Sequence, residues 1–299
     1  MLKEGRYHMT TIDVPVLGII GGSGFYQFPG LEKIDELNPD TPFGKPSAPI
    51  ITGFINGKKV AFLARHGIGH VFTPTEVNYR ANIYALKMIG TTRVVSISAC
   101  GSLREDFSPG EIVVPDQLFD FTKSRERSFF GEGLVAHVGV ANPFCEELST
   151  ILYQSVSAAA PSAHRGGSLI TIEGPRFSTR AESNVFRAWG MSLIGMTTSP
   201  EAYLAREAEM CYAVMAHVTD YDVWHMSEEP VTVDMVVRTL KKNTETAQNA
   251  IRILVDRLPE SNACACLNAL TDALITSPQH ISAASRKKLA LLVDKYLSA

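Results

Sequence analysis

The chain has 299 residues, 45% of them hydrophobic and 20% charged, with a formal net charge of -3. That length supports one large or two ordinary domains around a sizeable core. The near-neutral charge provides no basic surface for nucleic acid or anionic membrane, so neither is expected as a partner. Residues 1–13 carry Lys3, Glu4, Arg6 and His8 with no apolar core of signal-peptide length, and no later stretch is long and apolar enough to span a bilayer. A cytoplasmic protein is expected. Five cysteines, with no Cys-x-x-Cys pair, argue against a disulfide framework or a zinc site. The thiols of Cys264-Ala265-Cys266 are expected to be reduced.

The first apolar run, Val16-Leu17-Gly18-Ile19-Ile20, reads as a buried strand that empties into Gly21-Gly22-Ser23-Gly24. Missing side chains there let backbone N–H groups approach an anion, although a plain tight turn fits as well. The loop lacks the third glycine of a dinucleotide fingerprint and no Gly-Lys-Ser/Thr follows, which removes the Rossmann and P-loop readings. Asn56-Gly57 predicts a hairpin turn whose return strand, residues 59–64, delivers Arg65-His66-Gly67. An arginine at a strand exit can grip phosphate bidentately with the histidine as a further donor, and an exposed Arg-His pair is the alternative. A helix over residues 77–88 and a strand over 92–98 come next, the strand opening into Ser98-Ala99-Cys100-Gly101-Ser102, a loop of small and hydroxyl residues.

A short strand over residues 111–115 and a long polar connection over 120–133 follow, with His137 just beyond. A helix over 143–159 and a strand over 168–173 are predicted next. Thr179 and Glu182 have capping-box spacing, so a helix should start near Arg180 and leave Phe177 and Ser178 in the loop before it. A loop aromatic can cover a flat ligand ring or simply fill core. After a strand over 192–196, Ser199 and Pro200 predict another helix start, a natural anion site. The run from Cys211 to Asp222 then reads as a fully buried strand ending in two carboxylates. Extended backbone would point Asp220 and Asp222 to the same side. A long helix over 231–258 and two shorter ones over 264–274 and 283–297 complete the chain. Strands alternating with helices indicate an α/β sheet.

Assembled, these strand exits give hydroxyl, guanidinium, imidazole and backbone donors for one oxyanion, an aromatic loop, and two acids. Such a set suits phosphate together with a nitrogen heterocycle. Phosphorolysis of an N-glycosidic bond needs an anion under the sugar, a grip on the ribose and a proton donor for the departing base, with an oxocarbenium-like sugar in between.

The blocks Gly21-Gly22-Ser23-Gly24, Thr41-Pro42-Phe43-Gly44-Lys45-Pro46-Ser47, Arg65-His66-Gly67, Val77-Asn78-Tyr79-Arg80-Ala81-Asn82, Ala99-Cys100-Gly101-Ser102-Leu103-Arg104, Glu173-Gly174-Pro175-Arg176-Phe177-Ser178, Met196-Thr197-Thr198 and Thr219-Asp220-Tyr221-Asp222 together resemble the trimeric purine nucleoside phosphorylases, in particular those that cleave 5'-methylthioadenosine. The resemblance covers about residues 16–258 in order. It implies an α/β phosphorylase domain with a central mixed sheet flanked by helices over 16–258, after an N-terminal extension over 1–15 and before a helical tail over 259–299. By position, it implies phosphate contacts from Ser23, Arg65, His66, Ser98, Ala99 and Thr197, and a ribose contact from Met196. Phe177, Ser178, Asp220 and Asp222 would meet the purine, Asp220 as the catalytic proton source near N7 and Asp222 toward the 6-amino group. Relatives that prefer 6-oxopurines carry Asn in place of Asp220 and Glu in place of Ser178, so an aminopurine is expected. His137, from a neighbouring subunit, with Val233 and Val236 would surround the 5' substituent. The resemblance implies a homotrimer with nucleoside and phosphate as small-molecule substrates, and neither metal nor organic cofactor.

Overall fold

The computed structural model describes residues 14–21, 28, 30–160, 162–225 and 232–297. Its spine is β5 (Arg93–Ser102), a long strand that opens with β-branched residues and shifts to small ones, Ser98, Ala99, Gly101 and Ser102, in its second half. Early in its course β5 lies between β1 (Leu17–Gly21) and β11 (Cys211–Asp220), parallel to both. Near its end it leaves β1 and takes the antiparallel β10 (Leu193–Gly195) through Gly101 and Ser102. That exchange joins two wings of one mixed sheet. One wing continues from β1 through β4 (Lys58–Ala64) and β3 (Ile50–Ile55) to β2 (Glu32–Leu37). The other runs from β10 through β9 (Ser168–Ile172) to β7 (Gln117–Phe121), while β11 also carries β6 (Ile112–Val114) and, beyond it, β8 (Ala163–Arg165).

Every residue of β11 is buried, as expected for a strand covered on both faces. Its alternation divides the core: Tyr212, Val214, Ala216 and Val218 enter one apolar cluster, and Cys211, Ala213 and Met215 another. The first cluster is closed by α1 (Tyr79–Met88), α4 (Thr198–Glu207) and α6 (Ala283–Leu297), through side chains such as Tyr84, Leu204 and Leu289. The second is closed by α2 (Glu146–Ala159) and α5 (Val233–Arg257), through Leu152, Ile251 and Leu254. Because α6 shares the first cluster, the C-terminal helix packs on the same core as the sheet.

Local chemistry explains the element ends. Asn56 and Gly57 both adopt positive φ and turn β3 into β4. Lys58 Nζ, beside that turn, donates to the carbonyls of Val255, Asp256 and Leu258 and so caps the end of α5. The capping box of α3 (Arg180–Ala188) forms as predicted: Thr179 Oγ1 accepts from Glu182 N, and Glu182 accepts from Thr179 N. Three expectations need correction. The first two residues of the connection predicted over 120–133 belong to β7, and β8, after α2, was not expected. No helix spans 264–274; a single 3-10 turn, Ala265–Asn268, stands there. The acid pair is not carried on extended backbone, because the register slips between Val218 and Asp220 and Asp222 turns into the left-handed region at φ 51°.

Candidate active site

The carboxyl ends of β5, β10, β11, β4 and β9 surround a cavity of about 300 Å³. It brings together Arg65, His66, Ser98, Ala99, Phe177, Ser178, Met196, Thr197, Asp220, Asp222, Val233 and Val236, all named from the sequence. Ser23 lies outside the described residues. His137 is exposed and does not line this cavity; its N–H donates to Ala273 O on the C-terminal segment.

At one end stand the anion-type donors. Arg65 arrives from β4 and is almost wholly buried. Its fork does not point free into the cavity as the bidentate expectation required. Nε and Nη2 are held by the Glu201 carboxylate at 2.9 and 3.0 Å, and Nη2 also donates to Ser96 Oγ at 2.6 Å. Nη1 donates to Ile97 O at 3.2 Å and keeps a second hydrogen. Tyr212 Oη donates to Glu201 at 2.8 Å, completing a buried trio on α4, β4 and β11. Burial would draw the guanidinium down, but Glu201 outweighs it and holds Arg65 charged. From Ser96 a ladder of hydroxyls leads into the cavity: Ser98 Oγ lies 3.3 Å from Ser96 Oγ and 3.5 Å from Thr197 Oγ1. Thr197 stands just before α4 and makes no side-chain capping bond; the helix is interrupted at the non-helical Ser199, so its regular turns begin at Pro200.

His66 carries the opposite sense of proton. Its Nδ1 lies 2.9 Å from Phe72 O, a carbonyl that can only accept, so Nδ1 bears the hydrogen and Nε2 is left as acceptor. Burial first, then the Arg65 charge, push the imidazole down to about 4. His70 stacks on it at 4.3 Å.

At the other end are the acids. Thr219 Oγ1 donates to Asp220 Oδ2 at 2.6 Å, and Asp222 N donates to Asp220 Oδ1 at 2.8 Å. The turn at Asp222 thus folds one acid back on the other. Burial raises both carboxyls above the ordinary carboxylate range. Gly101 makes room for them, because a Cβ there would stand 2.9 Å from Asp220 Oδ1. Among the described residues Asp222 Oδ2 is buried with no close hydrogen-bond partner, although the Ser183 and Ser178 hydroxyls stand near enough to favour its charged form. Buried polar groups left in that state are expensive unless a ligand completes them. Between the two ends lie Met196, Ile194 and Gly195 on one wall and Phe177, about a third exposed, at the rim. Val233 and Val236, three apart, form an apolar wall with Val237 from the first turns of α5.

Two supporting residues escaped the sequence reading. Glu201 follows the Ser-Pro helix start and sits 136 residues from Arg65, a pairing that only the fold creates. Arg125, from the long polar connection, donates to Met196 O at 2.6 Å, Ser199 O at 2.7 Å and Glu173 O at 2.7 Å. It pins two site loops, the one after β9 and the one after β10. The available signal was the pair of arginines, Arg125 and Arg127, in a long polar connection.

A donor cluster for an oxyanion, a polar end fit for a heterocycle and a mixed sheet that delivers both define a nucleoside-handling phosphorylase architecture. The model of the phosphorylase superfamily matches residues 16–256, and the chain belongs to that family. Within it, the chain is 49% identical over 280 residues to the S-methyl-5'-thioadenosine phosphorylase of Koribacter versatilis, covering 94% of this chain and 96% of that protein. A methylthioadenosine phosphorylase from an Antarctic soil metagenomic library superposes with TM-score 0.89 at 45% identity, over 94% of this chain and 99% of the other. The methylthioadenosine phosphorylase of Schistosoma mansoni in complex with adenine has TM-score 0.82 at 39% identity, over 86% and 96%. Among the described residues, no helix is long and apolar enough to cross a membrane.

Proposed function

We propose that this chain catalyses phosphorolysis of S-methyl-5'-thioadenosine, releasing adenine and 5-methylthio-α-D-ribose 1-phosphate. The observation that carries this reading is the pairing, across one cavity, of the Ser98–Thr197–Arg65–His66 donors with the buried acids Asp220 and Asp222. Phosphate at the donor end attacks C1' as the bond to N9 breaks, and the configuration inverts. The Ser98 and Thr197 hydroxyls, Ala99 and the spare Nη1 hydrogen of Arg65 would hold its oxygens, with Ser23 completing the grip. His66, with Nε2 free to accept, suits a protonated phosphate oxygen. Met196 lies against the ribose, and Phe177 covers the purine.

Asp220 supplies or shares the proton at N7 that makes adenine a leaving group. Burial favours that role, because it keeps the carboxyl protonated at higher pH than an ordinary Asp. Asp222 Oδ2 accepts from the 6-amino group, and the Ser178 hydroxyl stands with it. A 6-oxopurine offers no donor there, so the aminopurine is favoured. The wall of Val233 and Val236 suits a methylthio group, each buried methylene contributing roughly 0.8 kcal/mol. The reaction is assigned no organic cofactor and no catalytic metal, the active form is a homotrimer, and the expected compartment is the cytoplasm.

The test is adenine release from methylthioadenosine, adenosine and inosine, each with and without inorganic phosphate. Phosphate-dependent release that is fastest with the methylthio substrate and slowest with inosine is expected. Release that ignores phosphate would sink the phosphorolysis, and inosine as best substrate would sink the roles of Asp222 and Ser178.

A further inference from the structure

Cys100 lines the substrate cavity, but the other four cysteines meet elsewhere. The sequence argument against a zinc site rested on the odd number of cysteines and the missing Cys-x-x-Cys spacing, neither of which bears on cysteines that the fold gathers from distant segments. The Sγ atoms of Cys145, Cys211, Cys264 and Cys266 all lie within 4.8 Å of one another, three of the residues buried and Cys264 half-buried. We propose that these four thiols form a tetrathiolate site for a single zinc ion, which fastens the C-terminal segment to the sheet.

Distance is the first argument. Around a tetrahedral ion with Zn–S bonds of about 2.3 Å, neighbouring sulfurs stand roughly 3.8 Å apart. Cys145 Sγ and Cys264 Sγ are 3.6 Å apart, and the whole set is spaced for one ion. A disulfide needs about 2.05 Å. Four sulfurs gathered this closely select zinc or iron over the oxygen-seeking cations.

The surroundings are the second argument. Metal-bound thiolates are stabilised by N–H donors around them. Here Leu148 N, in the first turn of α2, donates to Cys145 Sγ at 3.5 Å; Asn262 Nδ2 to Cys211 Sγ at 3.6 Å; and Arg206 Nη1 to Cys266 Sγ at 3.4 Å. Zinc binding would release the four thiol protons to solvent and leave the site two negative charges in excess. Two arginines offset them: Arg206, and the buried Arg93, which is the register partner of Cys211 and whose charge acts on Cys211, Cys145 and Cys264.

Position fixes the role. Cys211 opens β11 and Asp220 closes it, so the two sites lie at opposite ends of a ten-residue strand, roughly 30 Å apart. The ion therefore takes no part in the substrate chemistry. Its ligands come from the N-cap of α2, the start of β11 and the segment just past α5, so it would tie three separate elements.

The experiment is metal analysis of the full-length protein purified with a non-chelating reductant, beside thiol titration in denaturant. One zinc per chain is expected, with all five cysteines titrating as thiols once a chelator is added. Cys264→Ser/Cys266→Ser should lose the zinc and Cys100→Ser should keep it. Should the double variant fail to fold, cobalt exchange into the unmutated protein gives the answer through the visible bands and sulfur-to-cobalt charge transfer of a tetrathiolate. A metal-free protein with five free thiols, one with two disulfides and a single thiol, iron in place of zinc, or cobalt bound without those bands would each overturn the proposal.

Discussion

Asp220 shows how one position gathers its chemistry from several levels of the structure. The register slip ahead of it, the missing side chain at Gly101 and the turn at Asp222 together bury it while leaving it against the cavity. A raised carboxyl pKa means that charging Asp220 costs the folded state. The cost is absent below the ordinary carboxylate pKa of about 4 and grows as pH rises through the raised value. If the protonated acid is the working form, turnover falls on that same upward path in pH. Asp220→Asn should lower kcat by about 10² to 10⁴, the range of a lost general acid, with a smaller change in KM. The variant should nevertheless fold at least as well as its parent. The amide oxygen can still accept from Asp222 N, and the Thr219 hydroxyl can accept from the new amide instead of donating. Single-turnover rates with a melting curve separate the two effects, and an unchanged rate would remove Asp220 from the chemistry.

Among the elements, α4 links the site to the loop behind it. Thr197 precedes it, Glu201 lies near its start, and its last residue, Glu207, accepts from Ser128 Oγ and Phe129 N at 2.7 Å each. Burial pushes Glu207 up to about 7 from 4.5. Stability from its neutral form is full below pH 4.5 and is lost as pH rises through 7, a change of roughly 3 kcal/mol at most. Glu207→Gln should therefore flatten the fall in thermal midpoint between about pH 5 and 8; parallel curves for the two proteins would refute the assignment. The same helix marks what could be read from the chain. Apolar runs revealed β1, β4, β5, β9, β10 and β11, and Pro200 revealed where the regular turns of α4 begin. Strand β7, with Asp120 inside it, and the three-residue β8 carry too little pattern. The helix expected over 264–274 yields because Leu270 N is spent on Glu209 Oε1, and the Thr271 hydroxyl on Asn268 O. The residue types at the cavity were visible at strand exits, whereas the Arg65–Glu201 fork and the four-sulfur cluster depend on contacts that no local spacing encodes.

For the whole molecule, the rim of the cavity is where one chain falls short. Val233 is 68% exposed although it belongs to the apolar wall, and Phe177 is 37% exposed. An apolar 5' pocket left this open would give little of the burial that distinguishes a methylthio group from a hydroxyl. His137, exposed on its own chain, is available to a second one. In the proposed trimer each chain would cover the rim of the next. Sedimentation at assay concentration should then give three times the chain mass. His137→Ala should raise KM for methylthioadenosine several-fold while kcat changes little, since the residue would touch only the end of the substrate remote from the bond that breaks. A monomer that turns over methylthioadenosine at full rate would abolish the shared pocket, and the discrimination at the 5' end would have to come from the first turns of α5 alone.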